Sequence, residues 1–318
     1  MNPVAAIFDS LVLYRYSLVL ALAGAAGVCF FMACCSYAGI SSLRSSAAVL
    51  TALVLGLLLA RLVYWYGRPD QFSSLLHALT DPSTTRFALA GFMAGCILSA
   101  ILTGGPPGKA GLLDCMCVAG CFSISLGRLG CFFTEADRGQ VMVHLTGLPW
   151  AWPVVTASGQ LEYRFATFLF QSAAAALIGS LLTVVFFRKK RRPGDVTLLF
   201  LLLYSATQVL LDSTRYDSLY LRSNGFISIV QILSAGALGT VTILLCIRTV
   251  KSRGMKKWMI PLWISLTALF AFAGYMEYYV QRHGREAAFG YSVMGLCLAG
   301  IAGLGIFLWH LSGISETK

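Results

Sequence analysis

Apolar runs long enough to cross a hydrocarbon core as a helix, roughly 17 to 25 residues each, recur along the chain between short polar connections. They fall at about 13–36, 46–66, 87–103, 111–133, 165–187, 195–213, 226–247, 257–279 and 289–311. Glycine and alanine are scattered through them, and a barrel strand needs only about 10 alternating residues, so the runs read as helices. A backbone in lipid must satisfy its own hydrogen bonds. The expected fold class is therefore all-α: a polytopic helical membrane protein of about nine transmembrane helices.

Composition sharpens this. With 58% hydrophobic and 12% charged residues and a mean hydropathy of +0.76, the chain is too apolar for a soluble globule. The net charge of +11 is concentrated in Arg188–Arg192 and Arg248–Lys257. Both clusters flank apolar runs, so they read as anchors against anionic headgroups rather than as a nucleic-acid surface. The side holding 37–45, 104–110, 188–194, 248–256 and the C-terminus carries more Lys and Arg than the side holding Arg68, Arg86, Arg138, Arg164, Arg215, Arg222, Arg282 and Arg285. The basic side is expected to be cytoplasmic. The N-terminus is then outside, the C-terminus inside, and the long connections 67–86, 134–164 and 214–225 face outward. The ten cysteines lie almost wholly in apolar stretches without C-x-x-C spacing and read as small buried hydrophobes. No basic region precedes the first apolar run, so no cleavable signal peptide is expected.

Three arginines, Arg15, Arg61 and Arg128, fall inside the apolar runs. A charge at bilayer depth costs about 2.5 to 3.5 kcal/mol on insertion scales, so such residues usually face a polar cavity. All three come within one or two helical turns of the outer surface, the level at which Asp212 and Arg215 close one span and Gln231 opens the next. For Arg15 and Arg215, snorkelling to the interface is an equal alternative. Arg128 stands between Gly127 and Gly130, where a backbone or a ligand can come close, and guanidinium forks suit phosphate oxygens. Paired arginines in an outward cavity point to a phospholipid headgroup.

The segment Gly127-Arg128-Leu129-Gly130-Cys131-Phe132-Phe133-Thr134-Glu135-Ala136-Asp137-Arg138-Gly139 resembles the G-R-x-G-N-F-x-N-x-E-x-x-G signature of bacterial prolipoprotein diacylglyceryl transferases. Asn2-Pro3-Val4 with Tyr16, Ala60-Arg61-Leu62-Val63-Tyr64, Asp114, Arg192-Pro193-Gly194, Tyr204, Asp212, Arg215 and Ile227–Ser234 are similar to other parts of that family. The resemblance covers about residues 1–248, a seven-span domain, and leaves 249–318 as a two-span extension.

The resemblance implies a multi-pass enzyme of the bacterial inner (plasma) membrane, acting in lipoprotein biosynthesis. It would move diacylglyceryl from phosphatidylglycerol onto the lipobox cysteine thiol beside a prolipoprotein signal peptide, with no metal or other cofactor. Arg128, Glu135, Asp212 and Arg215 take the catalytic positions. Tyr16, Arg61, Gly127, Gly130, Gly139, Tyr204, Gln208 and Gln231 take those that contact substrate. Glu135 is the candidate base, Asp212 the orienter of an arginine, and Cys131 a packing residue in preference to a nucleophile. The chain departs from the pattern at Phe87–Gly91, where the family has H-G-G. Cys131 replaces the signature asparagine, Ala136 its glutamate, Gln208 a span-six arginine and Arg164 a second histidine. These departures motivate a second reading, a catalytically inactive relative that binds lipid or lipopeptide. A transporter is disfavoured, because the charges gather toward one face and no inverted repeat is evident.

Overall fold

The computed structural model describes residues 4–8, 11–81, 87–134, 137–142, 150–156, 158–188, 192–221, 224–282 and 287–313. Long helices dominate: α1 (Arg15–Tyr37), α2 (Ser42–Gly67), α5 (Gly105–Leu129), α6 (Thr167–Phe186), α7 (Asp195–Ser213), α8 (Ile229–Arg253), α9 (Met259–Arg282) and α10 (Ala287–Gly313). Among the described residues these provide eight candidate membrane spans, beside one shorter apolar helix, α4 (Leu89–Thr103). The expectation of a polytopic helical membrane protein holds, with most boundaries moved by two to six residues.

Outside the spans the sequence reading placed no regular structure. The chain there forms a short helix, α3 (Leu75–Thr80), and three antiparallel ribbons: β1 (Val4–Phe8) with β2 (Leu11–Tyr14), β3 (Ala151–Val155) with β4 (Leu161–Phe165), and β5 (Tyr220–Leu221) with β6 (Asn224–Ser228). A search for runs of 17 or more apolar residues passes over strands of five.

The bundle is built for lipid as solvent. Leu177 and Leu296 are each 73% exposed, while Arg61, Asp114, Gln171, Gln208 and Asp212 are buried. Without a hydrophobic drive between helices in lipid, close packing of small residues has to hold them together. In α2 the buried residues Ala48, Ala52, Gly56 and Ala60 repeat at a spacing of four, and in α4 Gly91, Gly95 and Ser99 do the same. The stripes lie so close that a Cβ on Gly95 would stand 2.4 Å from the Gly56 Cα, and one on Gly91 2.3 Å from the Leu59 carbonyl oxygen. The Ser99 hydroxyl seals the crossing, donating to the Ala48 carbonyl at 2.7 Å and lying 2.6 Å from the Thr51 hydroxyl.

Beyond this pair, α5 packs against α1, α6 and α7, and α7 against α6, α8 and α10. One core joins Phe31, Cys35, Cys115 and Leu182 to Phe200, Leu202, Leu245, Leu266, Met294 and Ile301, so the last two helices share the interior of the others. At the base of α7, Gly194 adopts φ +91°, a conformation glycine takes without penalty. The buried Asp114 carboxylate accepts from the Gly194 and Thr197 amides, both at 2.9 Å, and from the Thr197 hydroxyl at 2.7 Å. Asp114 therefore caps α7 from α5 and fixes the height of one helix against the other.

Substituting Gly95→Leu is expected to destabilise the protein by about 1 to 3 kcal/mol through overpacking. Gly236→Ala, where a Cβ meets nothing within 4 Å, should leave it unchanged or slightly firmer. Thermal unfolding of the two variants in detergent compares them; equal melting would show that the α2–α4 crossing does not depend on its small residues.

Candidate active site

At one end of the bundle, α5 ends at Leu129 and continues through a 3-10 turn, Gly130–Phe133. The chain then reverses through Asp137, the one non-glycine residue with positive φ (58°) among the described residues. Aspartate tolerates this left-handed conformation better than most side chains. The turn aims its carboxylate back at α5. Gly139 pairs as an isolated antiparallel bridge with Arg215, just past the end of α7, and Gln140 N–H donates to the Thr214 carbonyl at 3.0 Å while Tyr216 N–H donates to that of Arg138 at 2.9 Å. This pairing sets the loop after α5 beside the loop after α7.

Two guanidinium groups meet on Asp137. Arg128 Nη1 donates to Oδ2, and Arg215 Nη2 stands 2.6 Å from Oδ1. Arg215 also reaches Asp217 Oδ1 at 3.0 Å and Asp212 Oδ1 at 3.4 Å. The other oxygen of Asp217 accepts from the Asp137 amide at 3.1 Å. Asp212 Oδ2 receives the hydroxyls of Ser228 and, at 3.3 Å, Ser218, which ties the end of α7 to the start of α8. Burial alone raises the Asp137 carboxyl, but Arg128 and then Arg215 outweigh it and hold the group well below the usual carboxylate range. Asp137 is thus an anion that two cations share, in a site only 11–14% exposed at the side chains.

The other predicted positions divide. Tyr16, in the first turn of α1, packs where Gly130 lacks a Cβ, at 3.2 Å. A Cβ on Gly139 would meet the Thr167 hydroxyl at 2.7 Å and Phe165 at 2.8 Å, and one on Gly127 would touch Leu20 at 3.5 Å. Protein atoms therefore border all three glycines. Tyr204 is buried on α7 and stacks on Phe200 at 5.1 Å. Gln208, one turn later, accepts from Gln171 Nε2 of α6 at 3.4 Å. Gln231 closes a capping box with Ser228 at the start of α8. Cys131 is buried with its thiol 3.3 Å from Asp137 Oδ2. Glu135 lies outside the described residues.

Of the two arginines that the sequence offers as neighbours of Arg128, Arg61 and Arg215, Arg61 is engaged elsewhere. Its Nε donates to the Ala78 carbonyl at 2.5 Å and its Nη2 to that of Asp81 at 3.0 Å, at the end of α3, and its guanidinium lies over the Phe72 and Phe87 rings at 5.1 and 5.6 Å. An arginine there answers orphaned helix-end carbonyls. The residue that shares a carboxylate with Arg128 is Arg215.

Sequence reasoning noted the hub, Asp137, only as a polar residue following Arg128, and passed over its support, Asp217. Asp137 carried a faint signal, an acid nine residues after a membrane-depth arginine. Asp217 carried none, since its partner Asp137 is 80 residues away in sequence. Arg138, also noted only as following Arg128, is buried over Phe168 at 4.3 Å and donates to the Cys131 and Thr134 carbonyls at 2.9 and 2.8 Å, locking the turn that presents Asp137.

Residues 3–247 match the family described as prolipoprotein diacylglyceryl transferase. The chain belongs to the prolipoprotein diacylglyceryl transferase family. No match is found among curated proteins. The arginine-carboxylate cluster lies wholly within the region matched to the diacylglyceryl transferase family, and α9 and α10 lie beyond it. Among the described residues no three His, Cys, Asp or Glu side chains gather as a metal site.

Asp137→Asn keeps a side chain that tolerates positive φ but leaves two buried guanidiniums without their shared anion, a change expected to cost about 3 to 5 kcal/mol at pH 7. Because the folded carboxyl lies below its ordinary value, the stabilisation is complete above pH about 3.9 and disappears as pH falls from there through the folded value. Melting temperatures of the variant and the parent protein should therefore differ at pH 5 to 8 and converge in acid. A gap that persists unchanged into acid would mean that the Asp137 charge is not what stabilises the site.

Proposed function

We propose that the protein is a phosphatidylglycerol:prolipoprotein diacylglyceryl transferase of the bacterial inner membrane, with the Arg128–Asp137–Arg215 cluster facing outward. The observation that carries this reading is the pair of guanidinium groups brought together from α5 and from beyond α7 at the end of an apolar bundle. Between them these groups have more N–H donors than Asp137 can accept, and the remainder suit the oxygens of a lipid phosphodiester. The basic clusters at the opposite helix ends support the orientation.

In the reaction, the substrate cysteine sulfur forms a bond to the glycerol carbon that bears the phosphate, and that carbon–oxygen bond breaks. Glycerol phosphate leaves with the bonding electrons, and the thiol proton passes to solvent or to the released phosphate. Negative charge grows on the departing phosphate oxygens. Arg128 and Arg215 stabilise that charge by electrostatic preorganisation, since Asp137, Asp212 and Asp217 already fix their directions before substrate arrives. Gln208 and Tyr204, one and two turns before Asp212 on α7, would contact the glycerol and ester region of the lipid.

A lipid-binding role without catalysis is the second reading. It is favoured by the carboxylates Asp137, Asp212 and Asp217 gathered on two arginines, which an incoming phosphate has to share, and by the replaced family positions.

Membranes containing the full chain should transfer labelled diacylglycerol from phosphatidylglycerol to a lipobox peptide. Arg128→Ala should lower that transfer by at least about a hundredfold while the protein still accumulates, and Arg128→Lys should recover only part, because a point charge lacks the fork. Normal transfer by Arg128→Ala would remove the role given to this residue. Failure of the parent chain to transfer, or to rescue a strain lacking its own transferase, would leave the binding-only reading.

A further inference from the structure

The two helices beyond the family match hold α7 at both ends. At the end near Asp114, Trp309 of α10 donates its indole N–H to the Asp195 carbonyl at 3.1 Å. Arg248 of α8 pairs with the Asp195 carboxylate at 2.7 Å. Nearby, the Thr249 hydroxyl donates to the Leu308 carbonyl at 3.3 Å and Arg253 Nε to that of Leu311 at 3.1 Å. At the opposite end, both polar groups of one residue are taken. The Ser213 hydroxyl donates to Glu277 Oε2 of α9 at 2.7 Å, and the Ser213 carbonyl accepts from the Tyr291 hydroxyl of α10 at 3.1 Å.

Ser213 is the last residue of α7, directly after Asp212 and two before Arg215. A helix end leaves carbonyls without internal partners, and an unheld terminal turn frays. Here the terminal turn has to deliver Arg215 to Asp137. The residues around Ser213 are each engaged: Thr214 lies 3.0 Å from the Thr167 hydroxyl, Arg215 pairs with Gly139, and Tyr216 is bonded to Arg138. Ser213 receives its side-chain partners from the extension. Glu277 is also the single acidic residue of α9 and α10, and an acidic group inside an apolar span is costly enough to imply a purpose. Its second oxygen is steadied by Gln281 Nε2 at 2.9 Å.

We propose that Glu277 and Tyr291 are positioning residues for the active site: through Ser213 they fix the end of α7 so that Arg215 meets Arg128 on Asp137. The extension thereby belongs to the catalytic apparatus without touching substrate. This inference takes its activity readout from the transferase reading, and a second readout separates the two.

The test uses the full-length chain as Glu277→Leu, Glu277→Gln, Tyr291→Phe and Trp309→Phe, followed by transfer kinetics and thermal unfolding. Retention of phosphatidylglycerol over phosphatidylcholine is measured in native mass spectrometry. Glu277→Leu and Tyr291→Phe should each lower kcat about fivefold to tenfold, the size of one lost hydrogen bond. Glu277→Gln should return to within about twofold of the parent, because the amide oxygen still accepts the Ser213 hydroxyl. Trp309→Phe, which loosens the far end of α7, should lower the melting temperature without that loss of kcat. The proposal is overturned if Glu277→Leu keeps full activity, or if Glu277→Gln and Trp309→Phe lose as much as Glu277→Leu so that activity follows stability alone. Should the parent chain transfer nothing, retention decides: weaker phosphatidylglycerol selectivity in Glu277→Leu but not in Glu277→Gln supports the role, and equal retention in all three removes it.

Discussion

One carboxylate shared by two guanidinium groups governs this end of the molecule. A lone charge at this depth is expensive, and two like charges side by side are more so. Asp137 makes the pair of arginines tolerable, and in doing so it fixes which loops meet. The loop after α5 has to turn through a left-handed residue, and the loop after α7 has to run antiparallel to it. Asp217 and Arg138 hold that turn from either side. The site is a consequence of charge burial as much as of backbone topology.

The rest of the bundle supports this arrangement by fixing helix positions along their axes. Asp114 caps α7 from α5 at one end, and Asp212 joins α7 to α8 at the other. These buried carboxylates act as length gauges, since a hydrogen bond of about 3 Å leaves no room for a helix to slide by a turn of about 5.4 Å. Apolar packing in lipid cannot do this alone, because the surrounding acyl chains offer a leucine nearly the same environment as another helix. The α2–α4 crossing solves the same problem with small residues, letting backbones approach until backbone and hydroxyl atoms touch.

In the proposed transferase reaction the arginine cluster faces an anionic phosphate whose charge grows as a carbon–oxygen bond breaks. The chain meets that need in its own way. Cys131 occupies the signature asparagine position and bonds to the hub carboxylate. Gln208 stands where an arginine is expected and pairs with Gln171. Gln208 puts a neutral amide where that cation is expected, and the two cations paired with Asp137 are Arg128 and Arg215. The extra helices α9 and α10 reinforce the level of Asp137 from outside the family core.

How much of this was legible depends on the range of each interaction. The apolar helices and the end of the bundle that gathers polar groups follow from the residue order itself. Hydrophobic length is a property of contiguous residues, and an arginine in a leucine-rich run is conspicuous wherever the helix packs. Arg128, Asp212 and Arg215 were visible on that basis. The sequence by itself determined that this chain lives in a membrane and keeps the arginines inside its spans near one surface. Only the tertiary structure decided that Arg215 rather than Arg61 shares a carboxylate with Arg128, that Asp137 is the carboxylate, and that Glu277 stands behind Ser213. Those choices rest on pairs of side chains 78 and 64 residues apart, whose meeting is set by helix heights and rotations that no local pattern encodes.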